Sequence, residues 1–338
     1  MALLFTEGFD HYGTMHAEQA GKWHDQHFAY KMHLVPGYLG GQAMAGGISP
    51  YATPIRRNVL DVAGDIIVGM RWRLDDLSAW GPHRNIARVY DAELDVLYSL
   101  RTAPTSRFQI WDDQLDTLVL ESTFEIPMTA WNYVEWKAGA GGVALQINGA
   151  PAGSAATVLA VPSIFELTAE GSTMYYDDVY IADTSGAVNN DFLGDVRILP
   201  LWPTSDVLAE FDRSDVGAAG NFAMVDDEPG PDEDATYNRT LESGKRDLFG
   251  VGGSGLDSSL YAVKGVQVIA RARKEDSGLR YLRTVMRAAG VDDLGAVKAL
   301  ATSYQYQQHV TQLNPATGLP WTLAEIESAA FGYETVAP

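Results

Sequence analysis

The stretch Trp131-Asn132-Tyr133-Val134-Glu135-Trp136-Lys137, with Val143-Ala144-Leu145-Gln146-Ile147-Asn148-Gly149 just after it, decides how this chain is read. Its first part alternates Trp131, Tyr133 and Glu135 with Asn132, Val134 and Trp136. That is the period of two that sends successive side chains to opposite faces of a β-strand. Its second part runs into Asn-Gly, the pair that accepts positive φ at both central positions of a two-residue turn, so a hairpin closes there. Outward from this hairpin, short apolar runs at 66–74, 88–90, 95–100, 107–111, 118–122 and 174–182 are separated by Gly, Asp, Asn, Pro and Ser. Long helical periodicity is absent, so the expected fold is all-β and antiparallel.

With 338 residues, 46% hydrophobic and 20% charged, the chain is long enough for two cores. The boundary falls at the two prolines Pro200 and Pro203, which cannot sit in a central strand and stiffen a connection. The expected division is a domain over 1–199, a Pro-rich linker over 200–206 and a second β-sandwich over 207–338. In the second domain, 266–273 and 280–287 read as a hairpin turning at 275–278, with later strands at 297–306, 307–313 and 331–336. Thr322-Leu323-Ala324-Glu325 has capping-box form, hydroxyl and carboxylate each satisfying a free amide, and predicts one short helix over 322–329.

Charge and composition exclude several functions. The formal charge is −20 at pH 7, and both halves are acidic, so the surface repels nucleic-acid phosphates and anionic lipid. No cysteine is present, which removes disulfides, thiolate zinc sites and thiol nucleophiles. The start lacks the basic segment of a secretory signal, and no run approaches the roughly 20 apolar residues of a membrane helix. A soluble chain made without classical export is expected.

The segments Glu7-Gly8-Phe9-Asp10, 131–136, 143–149 and Tyr176-Asp177-Asp178-Val179-Tyr180-Ile181, in that order, resemble the concanavalin A-like, laminin G-like jelly roll over about residues 3–185. The text from Tyr175 to Ile198, with ARARKEDSGLRYLR at 270–283 and LNPATGLPWT at 313–322, further resembles tailed-bacteriophage virion proteins, in which such a jelly roll precedes a second β-rich domain. That resemblance implies a structural component of the particle, on head or tail. Its location would be the virion, after synthesis in the host cytoplasm. Its partners would be other virion proteins and further copies of itself.

Several groups invite a chemical role. Glu93-Leu94-Asp95 resembles the opening of the Glu-x-Asp-x-Glu strand of jelly-roll glycoside hydrolases, but Leu97 or Tyr98 stands where the third carboxylate belongs. The plainer reading is two solvated acids. His11, His16, His24, His27 and His33, with Asp10, Glu18 and Asp25, are of metal-binding type, yet their spacing fits no ligand pattern. A polar loop or a pH-sensitive contact is the alternative. Asp226, Asp227, Glu228, Asp232, Glu233 and Asp234 could offer calcium oxygens but lack the alternating register, which favours a solvated loop; Asp112-Asp113 and Asp177-Asp178 are read the same way.

Arg271, Arg273, Lys274, Arg280, Arg283 and Arg287 stand out against the overall acidity. They fit a stripe meeting an acidic neighbouring subunit, or pairing with the domain's own acids. Trp72, Trp111, Trp131 and Trp136 fall on strands and are assigned to the core, whereas Trp23, Trp80, Trp202 and Trp321 fall in loops, free to stack on sugars or anchor an interface.

The expected function is therefore architectural: a head-decoration, fibre or tail protein of a phage particle. Its interface would use Arg271, Arg273, Lys274, Arg283, Arg287, Trp23, Trp202 and Trp321, with no catalytic residue, cofactor or metal nominated. The alternative is a carbohydrate-binding adhesin for host-surface glycans, ahead of a glycoside hydrolase with a displaced acid.

Overall fold

The computed structural model describes residues 2–13, 22–23, 33–46, 53–58, 61–75, 84–169, 173–228 and 230–338. The chain divides into two compact units, one formed by Met1–Phe9 and Trp23–Ile198, the other by Asp10–Lys22 and Leu199–Pro338. Thus, among the described residues, 10–13 and 22, read with the first domain, fall in the second unit.

The first unit begins with β1 (Leu3–Glu7), β2 (His33–Pro36), β3 (Gln42–Gly46), β4 (Thr53–Asn58) and β5 (Ile66–Leu74). It continues with β6 (Arg84–Tyr90), β7 (Val96–Thr102), β8 (Phe108–Asp112), β9 (Thr117–Glu121) and β10 (Asn132–Gly139). It closes with β11 (Gly142–Ile147), β12 (Ala150–Ala155), β13 (Ile164–Ala169) and β14 (Met174–Asp183). An eight-stranded sheet runs β12-β11-β10-β5-β14-β3-β2, with β1 also on β14; a six-stranded sheet runs β4-β13-β6-β7-β8-β9. All the pairings within both are antiparallel.

Their inner faces meet through aromatic side chains. Trp72 of β5 packs edge-on against Phe108 of β8 at 5.3 Å, and Trp136 of β10 against Tyr98 of β7 at 5.6 Å. The Tyr176 hydroxyl lies within hydrogen-bond distance of the carbonyls of Ile86 (3.0 Å) and Thr168 (2.7 Å) on the opposite sheet, sharing its one proton between them. This is a β-sandwich, as the alternation predicts. The turn between β11 and β12 forms as read: Asn148 and Gly149 sit at φ 51° and 77°, the left-handed conformation that Asn and Gly tolerate best.

The second unit contains β15 (Pro203–Ala209), β16 (Asp212–Arg213), β17 (Asn238–Arg239), β18 (Arg246–Val251) and β19 (Val266–Ala272). After these come β20 (Tyr281–Ala288), β21 (Val291–Leu294), β22 (Lys298–Ala299), β23 (Gln305–Thr311), α1 (Leu323–Ser328) and β24 (Ala330–Val336). Its main sheet runs β15-β18-β24-β20-β21 with β22 on β20, and β19-β23 and β16-β17 form separate two-stranded ribbons. Val268, Met286, Ala288, Trp321, Ile326, Ala329 and Phe331 form a core shared by the β19 ribbon, α1 and the main sheet. The sandwich expected here is therefore lopsided, a narrow ribbon and one helix against a broad sheet.

Three expectations change. The run 200–206 is not wholly connection, because Pro203 opens β15; that strand lies at the sheet edge, where a missing N–H costs no ladder bond. The hairpin 266–273/280–287 does not form. β19 pairs with β23, while β20 is a central strand between β24 and β21. β20 buries the face of Leu282, Thr284, Met286 and Ala288 and has strand partners on both edges, which leaves no edge for β19. The run 297–306 is interrupted between β22 and β23. The helix is as read: the Thr322 side chain accepts from Glu325 N, and Glu325 accepts back from Thr322 N at 2.8 Å.

Candidate functional site

The outer face of the eight-stranded sheet carries the densest polar and aromatic chemistry of the first unit. Because Trp72 points inward, Ile67, Gly69, Arg71 and Arg73 of β5 point outward. Register places Tyr133, Glu135 and Lys137 of β10 opposite Arg71, Gly69 and Ile67. On the other side, Tyr175, Asp177 and Tyr180 of β14 lie opposite Arg73, Arg71 and Gly69. A bulge between Asp177 and Tyr180, with Asp178 at φ 49°, restores the outward direction of Tyr180. Glycine is required at 69: a Cβ there would stand 2.1 Å from Tyr180 Cε1.

At the Lys137 end this face is covered by the segment 184–198. Lys137 Nζ holds Asp191 at 2.9 Å, and Glu135 Oε1 accepts from the Tyr180 hydroxyl (2.5 Å) and from Gly194 N (2.9 Å). Arg71 pairs with Asp178 at 3.2 Å and with Asp195, and Asp178 also accepts from Ile198 N at 2.8 Å. Burial pushes the Glu135 and Asp178 carboxyls above the ordinary carboxylate range; the bonds from Tyr180 and Gly194 oppose this at Glu135, and those from Ile198 and Arg71 oppose it at Asp178. The Tyr180 hydroxyl is pushed up by its own burial and then by the Glu135 charge.

At the Arg73 end the same face keeps part of its side chains accessible among the described residues. Trp131 and Tyr175 are half-buried, with ring centroids 6.3 Å apart at 72°, and Tyr38 stands 6.3 Å from Trp131 at 65°. The Arg73 guanidinium lies 3.7 Å from the Tyr175 ring centroid and 5.2 Å from that of Trp131. Tyr38 links the two ends, its N–H donating to Asp177 at 2.9 Å and its ring lying 3.7 Å from the Arg71 guanidinium. The result is an angled group of half-buried rings with one cation among them, on a strand framework held by the ion pairs of Arg71. Tyr38, Arg73 and Tyr175 were not singled out in the sequence. The alternation that sends Trp131 to the outer face was visible there, and so was Arg71-Trp72-Arg73, whose polar residues flank an inward tryptophan.

The residues nominated from sequence do not gather here. Trp23 and Trp321, expected free in loops, are 1% and 2% exposed; Trp23 packs on Phe5 at 5.2 Å and donates to Glu7 at 3.0 Å, and Trp321 joins the second core. Trp202 is half-buried, and Trp80 lies outside the described residues. Conversely, Trp131 and Trp111, assigned to the core, are both half-buried.

Two of the arginines pair with the acidic loop, and the other three with acids elsewhere in the same unit. Arg271 pairs with Glu233, and Arg273 with Asp234 at 3.0 Å; the Tyr304 hydroxyl also donates to Asp234 at 2.7 Å. Arg283 pairs with Glu334 at 2.8 Å, Arg287 with Asp292 at 2.6 Å, Arg280 with Asp276 at 2.7 Å, and Lys274 donates to the Gly278 carbonyl at 2.7 Å. The stripe is thus neutralised inside its own unit.

Glu93 and Asp95 lie on the exposed turn between β6 and β7, their N–H groups donating to Asp91, and not on a strand that could aim them into one cleft. Of the other paired acids, Asp113 is matched with Arg101, while Asp112 caps the turn at Gln114 and Leu115. His11 is half-buried between Tyr12 and Tyr306, and desolvation, with the Lys22 charge beside it, holds its pKa well below the ordinary value. His16, His24, His27, Glu18 and Asp25 lie outside the described residues. Among the described residues no group of three or more His, Asp or Glu side chains is arranged to hold a metal ion.

No family model matches the chain, and no curated protein matches it. Solved structures with similar folds include the cellulose induced protein Cip1, at 14% identity and TM-score 0.40, covering 56% of this chain and 99% of that one. The carbohydrate binding module CBM66 from Bacillus subtilis is similar at 11% identity and TM-score 0.34, over 49% of this chain and 98% of that one. A Trypanosoma rangeli sialidase is similar at 10% identity and TM-score 0.33, over 45% of this chain; the match spans only 26% of the sialidase's length. Overlaps this loose leave the description of the fold to the strand pairings themselves.

Proposed function

We propose that this protein binds carbohydrate through the Arg73 end of the outer face, with Trp131 as the stacking surface and Tyr38 and Tyr175 flanking it. The observation that carries the reading is the cluster of three neighbouring half-buried aromatic rings, two of them against Arg73, at the end of that face where 184–198 makes none of its contacts with the sheet among the described residues. An aromatic ring offers an apolar surface to the C–H face of a sugar, while nearby polar groups select its hydroxyls. The rings stand at 65° and 72° to one another. They form a notch suited to a single glycan chain rather than a plane suited to a crystalline polysaccharide surface. This is the adhesin-type alternative moved from the loops to the sheet face.

Of the residues nominated for the virion role, Trp23 and Trp321 are core and the arginines are paired within the chain, while Trp202 is half-buried, so this reading draws less support from the structure. The hydrolase reading has lost its strand in the same way.

The test is glycan-array screening followed by titration of Trp131→Ala against the best ligand. Binding should weaken about tenfold or more, the scale of a lost central aromatic anchor. Trp111→Ala, which removes a half-buried tryptophan from the opposite sheet, should bind as the parent does. A parent that binds no saccharide, or a Trp131→Ala variant of unchanged affinity, refutes the proposal.

A further inference from the structure

Arg73 differs from the cation beside it. Arg71 is saturated by Asp178 and Asp195, whereas the closest carboxylate oxygen to Arg73 is that of Asp75, at 3.9 Å, the outer limit of an ion pair. Its Nε is shielded from solvent and makes no hydrogen bond. Its side chain retains 27% exposure, and that of Asp75 retains 56%. The guanidinium carbon lies 3.7 Å from the Tyr175 ring centroid. A guanidinium placed against an aromatic ring can still present its N–H edge, and that edge matches a carboxylate in two parallel hydrogen bonds.

We infer that the ligand of this face is an acidic saccharide, a sugar ring bearing a carboxylate, with the ring on Trp131 and the carboxylate on the Arg73 edge. The inference rests on the carbohydrate-binding reading and narrows it to one substrate class. The surrounding charge sharpens the argument. In a chain of formal charge −20, a polyanion is repelled at long range, but that repulsion is screened beyond roughly 8 Å at physiological salt. At contact stands Arg73, whose carboxylate neighbour Asp75 lies at the 3.9 Å limit of an ion pair and is largely solvated. Uronates and sialates share this chemistry, and the ligand panel separates them.

The experiment compares polygalacturonate with its methyl ester, in which the ring is kept and the charge removed, and sialyllactose with lactose, by titration at fixed salt. The parent should bind at least one acid form about tenfold more tightly than its neutral counterpart, the scale of a charge-assisted bidentate contact. Arg73→Gln should abolish that preference while keeping the neutral ligand, which shows that Trp131 still stacks and the sheet is folded. Arg73→Lys should retain part of the preference, because the charge remains and the fork is lost. Arg107→Gln, which removes a half-exposed arginine paired with Glu121 on the other sheet, should change nothing. Equal parent binding of acid and neutral forms, or a preference that survives Arg73→Gln, overturns the inference and leaves the carbohydrate reading standing. A parent that binds none of these ligands and no other saccharide overturns both.

Discussion

At Glu135 a buried carboxylate accepts two hydrogen bonds on one oxygen, Oε1, while Oε2 is shielded from solvent with no hydrogen-bond partner. Burial raises its pKa above the ordinary 4.5, with the bonds from Tyr180 and Gly194 opposing the rise. An acid whose folded pKa is raised binds more protons when folded. It therefore adds stability below the unfolded value of 4.5, and this is lost as pH rises through the folded value. Glutamine keeps an oxygen for both donors and removes the charge. Glu135→Gln should therefore be more stable than the parent at neutral pH and should approach it near pH 4.5, as followed by thermal unfolding midpoints. Parallel pH profiles for the two proteins would show that the carboxyl titrates as an ordinary surface group.

The segment 184–198 is where sequence and structure part most clearly. The strands around it are legible because each carries period-two alternation or a turn signal: 66–74 becomes β5, the Asn148-Gly149 turn closes, and Thr322 caps α1. The Gly- and Asn-rich run after β14 has no period and predicts no element, yet its backbone amides at Gly194 and Ile198 are partners of two buried carboxylates of the sheet, Glu135 and Asp178. Partnerships of this kind depend on register between distant strands. Local pattern does not encode register, and the same limit hid Trp131, Tyr38 and Tyr175, which lie at three separate places in the chain. Gly69→Ala tests whether the cover depends on the sheet beneath it, because the new methyl group would meet the Tyr180 ring at 2.1–2.7 Å. Tyr180 would have to leave Glu135. The expected cost is about 1–3 kcal/mol of overpacking strain, with faster proteolytic cleavage in 184–198. Unchanged stability and cleavage would mean that the segment is held without Tyr180.

Across the whole chain, two sets of carboxyl groups pull stability in opposite directions along the pH axis. Glu135, Asp178, Asp227 and Asp247 are raised, each chiefly by burial, so they take up protons on folding above their ordinary values of 3.8–4.5 and favour the folded state as pH falls towards those values. Asp191, Asp234 and Asp292 are lowered, chiefly by hydrogen bonds from Lys137, Tyr304 and Arg287 respectively, and they add stability that is present above 3.8 and lost as pH falls below it. Net charge acts with the first set, falling from −20 at pH 7 to zero near the isoelectric point of about 4.6. The unfolding midpoint should therefore pass through a maximum on the acid side of neutrality, above the ordinary carboxylate values.

Salt separates the two contributions on that limb. Raising ionic strength from about 0.1 M to about 1 M shortens the Debye length from roughly 10 Å to roughly 3 Å. At pH 7 this should raise the midpoint by screening repulsion among surface acids, and it should leave the difference between the parent and Glu135→Gln intact, because that difference comes from burial. A maximum that moves to pH 7 or above at low salt would mean that the paired aspartates outweigh both the buried acids and the surface repulsion. If salt instead erased the parent–variant difference, the Glu135 carboxylate would have to be solvated, and 184–198 would not be covering it in solution.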